Sequence, residues 1–380
     1  MSSSKNLKKS ERNLSLDIVR IIGIFGVIFI HLLYPVYSRP DFFGGVAWWV
    51  ATIIYSFSLV SVPLFIMLSG YLLIPKSESI GANLRRITKR LIIPLVVWFG
   101  IYLWWNGFLL VKFDAYPASI ANMIFSGSIY HLYFLVILIG LYLILPFIRS
   151  WLKNSSEPEK RYGLALAWIA GIGIYMAIYL NIIGGAVGNL FSWWLPFLGF
   201  FLTGYFIRRS KHKISTAKLL AFFLRWWGIT LVFSFVGVWF SKVGLGSAWH
   251  SSGVFYFNTF LSPNVILMSI ALFWFLVKNL NFTKLSSQKN QKQAQKYFSQ
   301  IIKSVSNNVY AMYLVHVIVI GWVDIKYRYA IEFIGESLWP FVITRSLLVF
   351  ALSYVLALII RKIPKLNLIV GEKYIFFLYI

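Results

Sequence analysis

Residues 16–31 read LDIVRIIGIFGVIFIH, an apolar run that holds three ionisable side chains, Asp17, Arg20 and His31. Ionisable groups in hydrocarbon are costly enough that those which persist there point to function. Asp17 and Arg20 are three residues apart and can pair on one helix face. From Arg20 to His31 is eleven residues, which at about 100° each returns to within about 20° of the same face. The three share a stripe, and at a rise of about 1.5 Å per residue Arg20 and His31 lie about 16 Å apart along the axis. Two readings of the stripe stand side by side. In one, Arg20 snorkels to the headgroups with Asp17 as its partner, and His31 sits in the opposite interface beside Tyr34. In the other, the stripe lines a functional site.

The rest of the chain places this run in a membrane. Of 380 residues 59% are hydrophobic and only 12% charged, about half the charge of a soluble domain. With about 20 apolar residues needed per crossing, the sequence predicts an all-α, polytopic protein of about ten transmembrane helices. They fall near 16–35, 46–74, 91–111, 131–148, 162–183, 192–207, 219–240, 260–277, 306–323 and 341–360. The second run is too long for one straight crossing and carries Pro63, which predicts a kink there or an interfacial start at Trp48 and Trp49. The first run lacks a small-residue cleavage site and reads as a signal anchor. No repeat or second domain is evident, so 1–380 reads as a single transmembrane domain. Residues 1–15 form a cytoplasmic tail, and the Gln-, Asn-, Ser- and Lys-rich stretch 278–305 forms a cytoplasmic loop with room for some helix on anionic headgroups.

The net charge of +25 would suggest nucleic acid if it formed a stripe on a soluble fold, but the charges punctuate apolar runs instead. One set of alternate loops, both ends included, holds 28 of the 36 Lys and Arg, the other set holds 5, and Arg20, Arg225 and Arg345 lie inside apolar runs. The excess marks the cytoplasmic side, so both termini are expected there, in the inner cell membrane. The chain has no cysteine, which excludes disulfides, thiolate metal sites and a cysteine nucleophile. No two histidines stand at i,i+4, so a metal centre is not expected either.

Other segments carry chemistry of their own. Arg85, Arg86, Lys89 and Arg90 cluster in LRRITKRLIIP at 84–94; they read as phosphate-binding guanidinium and ammonium groups or as plain topogenic charge. His131 opens the fourth span, His316 lies well inside the ninth, and Arg345 stands a turn into the last. Each can line a cavity for substrate, or sit at an interface or snorkel. Most of the 16 Trp belong to interfacial belts, with Trp193, Trp194 and Trp339 the candidates for stacking on sugar.

The stripe Leu16, Asp17, Arg20 and His31 resembles the first helix of the acyltransferase family 3 membrane proteins. Further segments agree in order: VPLFIMLSGYLL at 62–73, the basic stretch at 84–94, HLYFLVILIGLYLILP at 131–146, FLGFFLTGYF at 197–206, NNVYAMYLVH at 307–316 and RKIPKLN at 361–367. With His131, Leu132, Tyr133 and Phe134 in place of the other branch's Trp-Ser-Leu and paired-Glu motif, the chain resembles the branch that includes the O-acetyltransferase of enterobacterial common antigen. The resemblance implies transfer of an acyl group, usually acetyl, from cytoplasmic acetyl-CoA to a hydroxyl of a surface glycan or lipid-linked sugar, without metal. It implies His31 as the essential histidine and Arg20 and Asp17 as its companions. The family's Arg-x-x-Arg falls on Arg86 and Lys89, with Lys at the second place. His131, His316 and Arg345 are the candidates for contact with substrate.

The chemistry agrees with the residues. A hydroxyl attacking a thioester must lose its proton, and a histidine with an ordinary pKa near 6.5 suits that base. The thioester oxyanion needs donors; Ser69 or Tyr71 can serve, or can pack helices. Coenzyme A phosphates suit Arg20, Arg85, Arg86, Lys89 and Arg90, and its slender arm then has to reach His31 along the stripe, through a passage joining Arg20 to His31. Two other classes remain: a transporter or flippase for a glycan or lipid-linked sugar, and a non-catalytic subunit of a glycan export complex. Asp17 is the only acid inside the predicted spans, which argues against proton coupling.

Overall fold

The computed structural model describes residues 13–38, 40–110, 130–179, 192–243, 256–280, 289–333, 338–364 and 366–370, and they are helical with no strand among them. Asn13 caps the first helix, α1 (Leu14–Tyr37), its side-chain oxygen accepting from the Ser15 amide at 2.9 Å. Asp17 falls in the first turn, where the helix dipole favours a carboxylate. The long second run breaks into α2 (Val46–Ser58) and α3 (Ser61–Leu73) at Leu59 and Val60. Pro63 sits just beyond the break, in the first turn of α3, where a missing amide proton leaves nothing unpaired.

A second proline shapes the basic segment. α4 (Ile80–Ile87) passes through a π turn, Thr88–Ile92, into α5 (Ile93–Leu110). Pro94 has no amide to offer the carbonyl of Arg90 four residues back, and that carbonyl accepts instead from the Tyr310 hydroxyl at 2.8 Å. α6 (Tyr133–Leu143) and α7 (Leu145–Asn154) meet at a 42° bend beside Pro146. α8 (Glu157–Tyr179), α9 (Leu198–Arg209), α10 (Thr216–Lys242), α11 (Pro263–Trp274), α12 (Lys289–Phe333), α13 (Leu338–Lys362) and the short α14 (Leu366–Ile369) follow.

α1 runs through the bundle, packed on α2, α3, α12 and α13. Its Val19, Ile24, Ile28 and Leu33 have no exposed surface, nor do Leu64 and Ile66 of α3. α10 and α13 instead turn Leu224, Val232, Leu347 and Val355 outward, as helices facing lipid do. The closest pairing is α3 with α9, where Gly70 and Gly204 bring the backbones together: a Cβ on Gly70 would lie 1.8 Å from the Phe201 carbonyl oxygen.

Six helices among the described residues are long and apolar enough to cross a membrane, and the bent α6–α7 pair makes a seventh. These fall on seven of the ten expected runs. The run at 162–183 leaves the described residues after Tyr179, and those at 192–207 and 260–277 fall on α9, of 12 residues, and on α11 with its π turn Phe275–Asn279. From Lys289 the segment expected as a loop is helix, continuous with the span that follows.

Candidate functional site

The stripe on α1 faces protein. Asp17 is fully buried and Arg20 is 3% exposed. One Asp17 oxygen accepts from Arg20 Nη1 at 2.5 Å and from the Ser306 hydroxyl of α12 at 2.7 Å, and Arg20 Nη1 also reaches Ser306 at 3.3 Å. A lone cation inside the bundle would be prohibitive; paired with a carboxylate and a hydroxyl, it ties α1 to α12.

Toward the other end of α1, three histidines from three segments meet. His31 comes from α1, His131 from the 3-10 turn Tyr130–Leu132 that leads into α6, and His316 from α12. Their ring centroids are 4.7 Å apart for His131 and His316, 5.3 Å for His31 and His316, and 6.4 Å for His31 and His131. Tyr313 holds two of them. Its hydroxyl donates to the His131 carbonyl, and its own carbonyl receives Nδ1 of His316 at 2.6 Å. A carbonyl only accepts, so the His316 proton is on Nδ1 and its Nε2 carries the lone pair. Tyr102 braces the same turn of α12, donating to the Leu314 carbonyl at 2.7 Å with its ring 4.9 Å from that of His131.

His31 and His131 line a pocket whose other polar side chains are Tyr133 and Tyr313. Phe65, Phe134 and Phe260 make most of the rest of its wall, with Val27, Ile30 and Val62. The cavity has a volume of about 50 Å³, enough for a few waters. On α1 the lining begins at Val27, so the pocket in this conformation stops short of Arg20. Between them the Phe65 ring packs over Gly23, where an added Cβ would lie 2.7 Å from the ring. The passage expected to join Arg20 and His31 is not part of this pocket. Among the described residues no group of three or more His, Asp or Glu is arranged to hold a metal ion.

The basic segment divides by face. Arg85 and Lys89 are exposed, whereas Arg86 and Arg90 are half-buried. Arg86 donates to Glu78 and to the Asn83 side-chain oxygen, each at 2.5 Å, with its guanidinium 5.7 Å over the Tyr142 ring. Glu78 also meets Arg149 at 3.5 Å, and Arg149 donates to the Leu73 carbonyl at 2.7 Å. Lys76 joins this group: burial, then the neighbouring Arg86, lower its pKa below the usual lysine value. Lys76 and Glu78 follow the second apolar run and Arg149 follows the fourth, so only the fold gathers them.

Arg345 is not on the pocket wall. Its guanidinium pairs with Asp324 of α12, an acid one residue past the predicted ninth span. Ser69 and Tyr71 are also off the wall: Ser69 accepts from the Tyr142 hydroxyl at 3.1 Å, and Tyr71 lies against Arg208, which donates to its carbonyl at 3.0 Å. Trp193 stands 5.9 Å from the Tyr133 ring, and Trp194 wedges against Gly140. The Trp339 side chain lies outside the described residues. Tyr313 had a sequence signal, since it stands three residues before His316 and so shares its helix face.

A membrane-embedded bundle of apolar helices with a histidine-lined pocket in its interior is the class of protein this chain defines. Residues 13–360 match the acyltransferase domain of acyltransferase family 3, and the chain belongs to that family. No curated protein and no solved structure matches it.

Proposed function

We propose that this acyltransferase is a membrane-bound O-acyltransferase of the inner cell membrane. It would take an acyl group, acetyl as the family resemblance implies, from cytoplasmic acyl-CoA and transfer it to a hydroxyl of a surface or exported polysaccharide, or of its lipid-linked precursor. The branch that modifies enterobacterial common antigen is the one its motifs resemble. In this reading the chain crosses the membrane about ten times as one domain, with both termini on the cytoplasmic side. Acyl-CoA, the glycan acceptor and membrane lipids are its partners.

One observation carries the reading: His31 and His131 stand on the wall of an otherwise largely apolar pocket inside the bundle, and His31 shares its helix face with the buried Arg20–Asp17 pair. His31 acts as general base on the acceptor hydroxyl. Arg86, Arg90 and Lys76, with Arg85 and Lys89 at the rim, would meet the phosphates of coenzyme A, because guanidinium forks match phosphate oxygens and Lys adds a point charge. In this reading the thioester arm reaches His31 along the α1 face, past the Phe65 ring that packs over Gly23. His316 sets the back of the site, and Arg345, bound to Asp324, shapes the α12–α13 contact beside it. A transporter would need a buried acid able to exchange partners; Asp17 is held by two donors.

The test compares ester content of surface glycan in cells expressing the wild type and His31→Ala at matched protein levels. Loss of acylation to the level of cells without the protein is expected. Unchanged acylation removes His31 as the base.

A further inference from the structure

The reaction proposed above needs two groups, and α1 supplies only one. As the hydroxyl oxygen adds to the thioester carbonyl, the carbonyl oxygen gains a full negative charge, which in a dry site must be met by a donor about 3 Å away. Ser69 and Tyr71 are off the pocket wall. Tyr313, on the wall, commits its hydroxyl to the His131 carbonyl. His131 itself is 2% exposed, and among the described residues neither of its ring nitrogens makes a well-formed hydrogen bond, the Leu314 carbonyl being the one acceptor that interacts with the ring. A neutral imidazole carries one N–H and one lone pair, and leaving both dry is costly enough that buried groups of this kind call for an explanation. A ligand in the pocket that His131 lines is such an explanation.

Resting on the acyl-transfer reading, we propose that His131 is the oxyanion donor, turning an N–H onto the acyl carbonyl oxygen while His31 works on the hydroxyl. The hydroxyl oxygen forms a bond to the carbonyl carbon, its proton passes to the His31 ring, and the carbonyl π pair moves to oxygen, where the His131 N–H meets it. Collapse re-forms C=O and breaks the C–S bond. The thiolate leaves as a thiol, taking the proton from His31, and the ester remains on the sugar. His131 stays neutral throughout. Tyr313 is a positioning residue, fixing the backbone that carries His131 and the tautomer of His316.

The experiment uses membrane vesicles from expressing cells, with labelled acetyl-CoA and label counted in the glycan fraction. His131→Phe fills the site without polarity; His131→Gln restores an N–H; Tyr133→Phe removes the other hydroxyl on the wall. His131→Phe is expected to lower kcat about 10²–10³-fold with KM for acetyl-CoA within about three-fold. Its melting temperature in detergent should be unchanged or raised, since two poorly paired polar atoms are gone. His131→Gln should recover part of kcat. The proposal is overturned if His131→Phe keeps kcat within about three-fold of wild type, if it melts well below wild type, or if Tyr133→Phe alone causes the loss. His31→Ala in the same assay reads the base separately, so a silent His131→Phe beside a dead His31→Ala sinks this inference alone. Incorporation no greater with the wild-type protein than without it sinks the acyl-transfer reading and this inference with it.

Discussion

Asp17 stands near the start of α1 with two donors on one carboxylate oxygen, Arg20 and Ser306. Removing one partner of a buried pair leaves the other charged and unmatched, at a cost of about 3–5 kcal/mol. Asp17→Asn is therefore expected to destabilise the protein by that amount in detergent melts, and adding Arg20→Met should recover much of it; full stability in Asp17→Asn alone would show that Arg20 has other support. Lys76 gives a pH signature. Its folded pKa lies below the ordinary lysine value of 10.5, by burial first and then by Arg86. Between that lowered value and 10.5 the unfolded chain binds more protons than the folded one, so stability rises with pH across the window. Below the window, the charged lysine is a liability. Lys76→Met is expected to stabilise the protein at neutral pH and to remove the rise, as read from melting temperature against pH.

At the scale of elements, α3 and α9 meet through glycine. Gly70 faces the Phe201 carbonyl and Gly204 the Met67 carbonyl, the latter at 1.9 Å from an added Cβ. The obstacle is backbone and cannot rotate away. Gly70→Ala is expected to cost about 3 kcal/mol, the upper part of the range for overpacking, seen as a lower melting temperature and a smaller folded fraction; Gly81→Ala, with nothing within 4 Å, is the control. Equal behaviour of the two variants would mean that α3 and α9 separate freely. The LSGY segment thus serves helix approach, the alternative that its small residues left open beside a catalytic one.

At the scale of the molecule, charge asymmetry predicts which ends of the helices face the cytoplasm. The chain lacks cysteine, so single substitutions report without background. Lys213→Cys is expected to react with a membrane-impermeant thiol reagent only in inverted vesicles, and Asp41→Cys only in intact cells; both positions are exposed. Labelling of both from one side would overturn the expected orientation.

Seven of the ten expected crossings and the Asp17–Arg20–His31 face were legible in the sequence because both follow from local quantities, the length of apolar runs and the 100° step of a helix. The same rules marked His131 and His316 as unusual but said nothing of their distance. They stand 185 residues apart in the chain and 4.7 Å apart in the fold, a contact set by how α1, α6 and α12 pack. Whether the stripe opens on one passage was also beyond the sequence: helix periodicity assigns a side chain to a face, but whether that face meets a void or the Phe65 ring depends on what the neighbouring helix brings to it. Local geometry determined the apolar runs and the stripe; packing between distant segments decided the pocket, the meeting of three imidazoles beside it and the group at Glu78, because those contacts have no period along the chain.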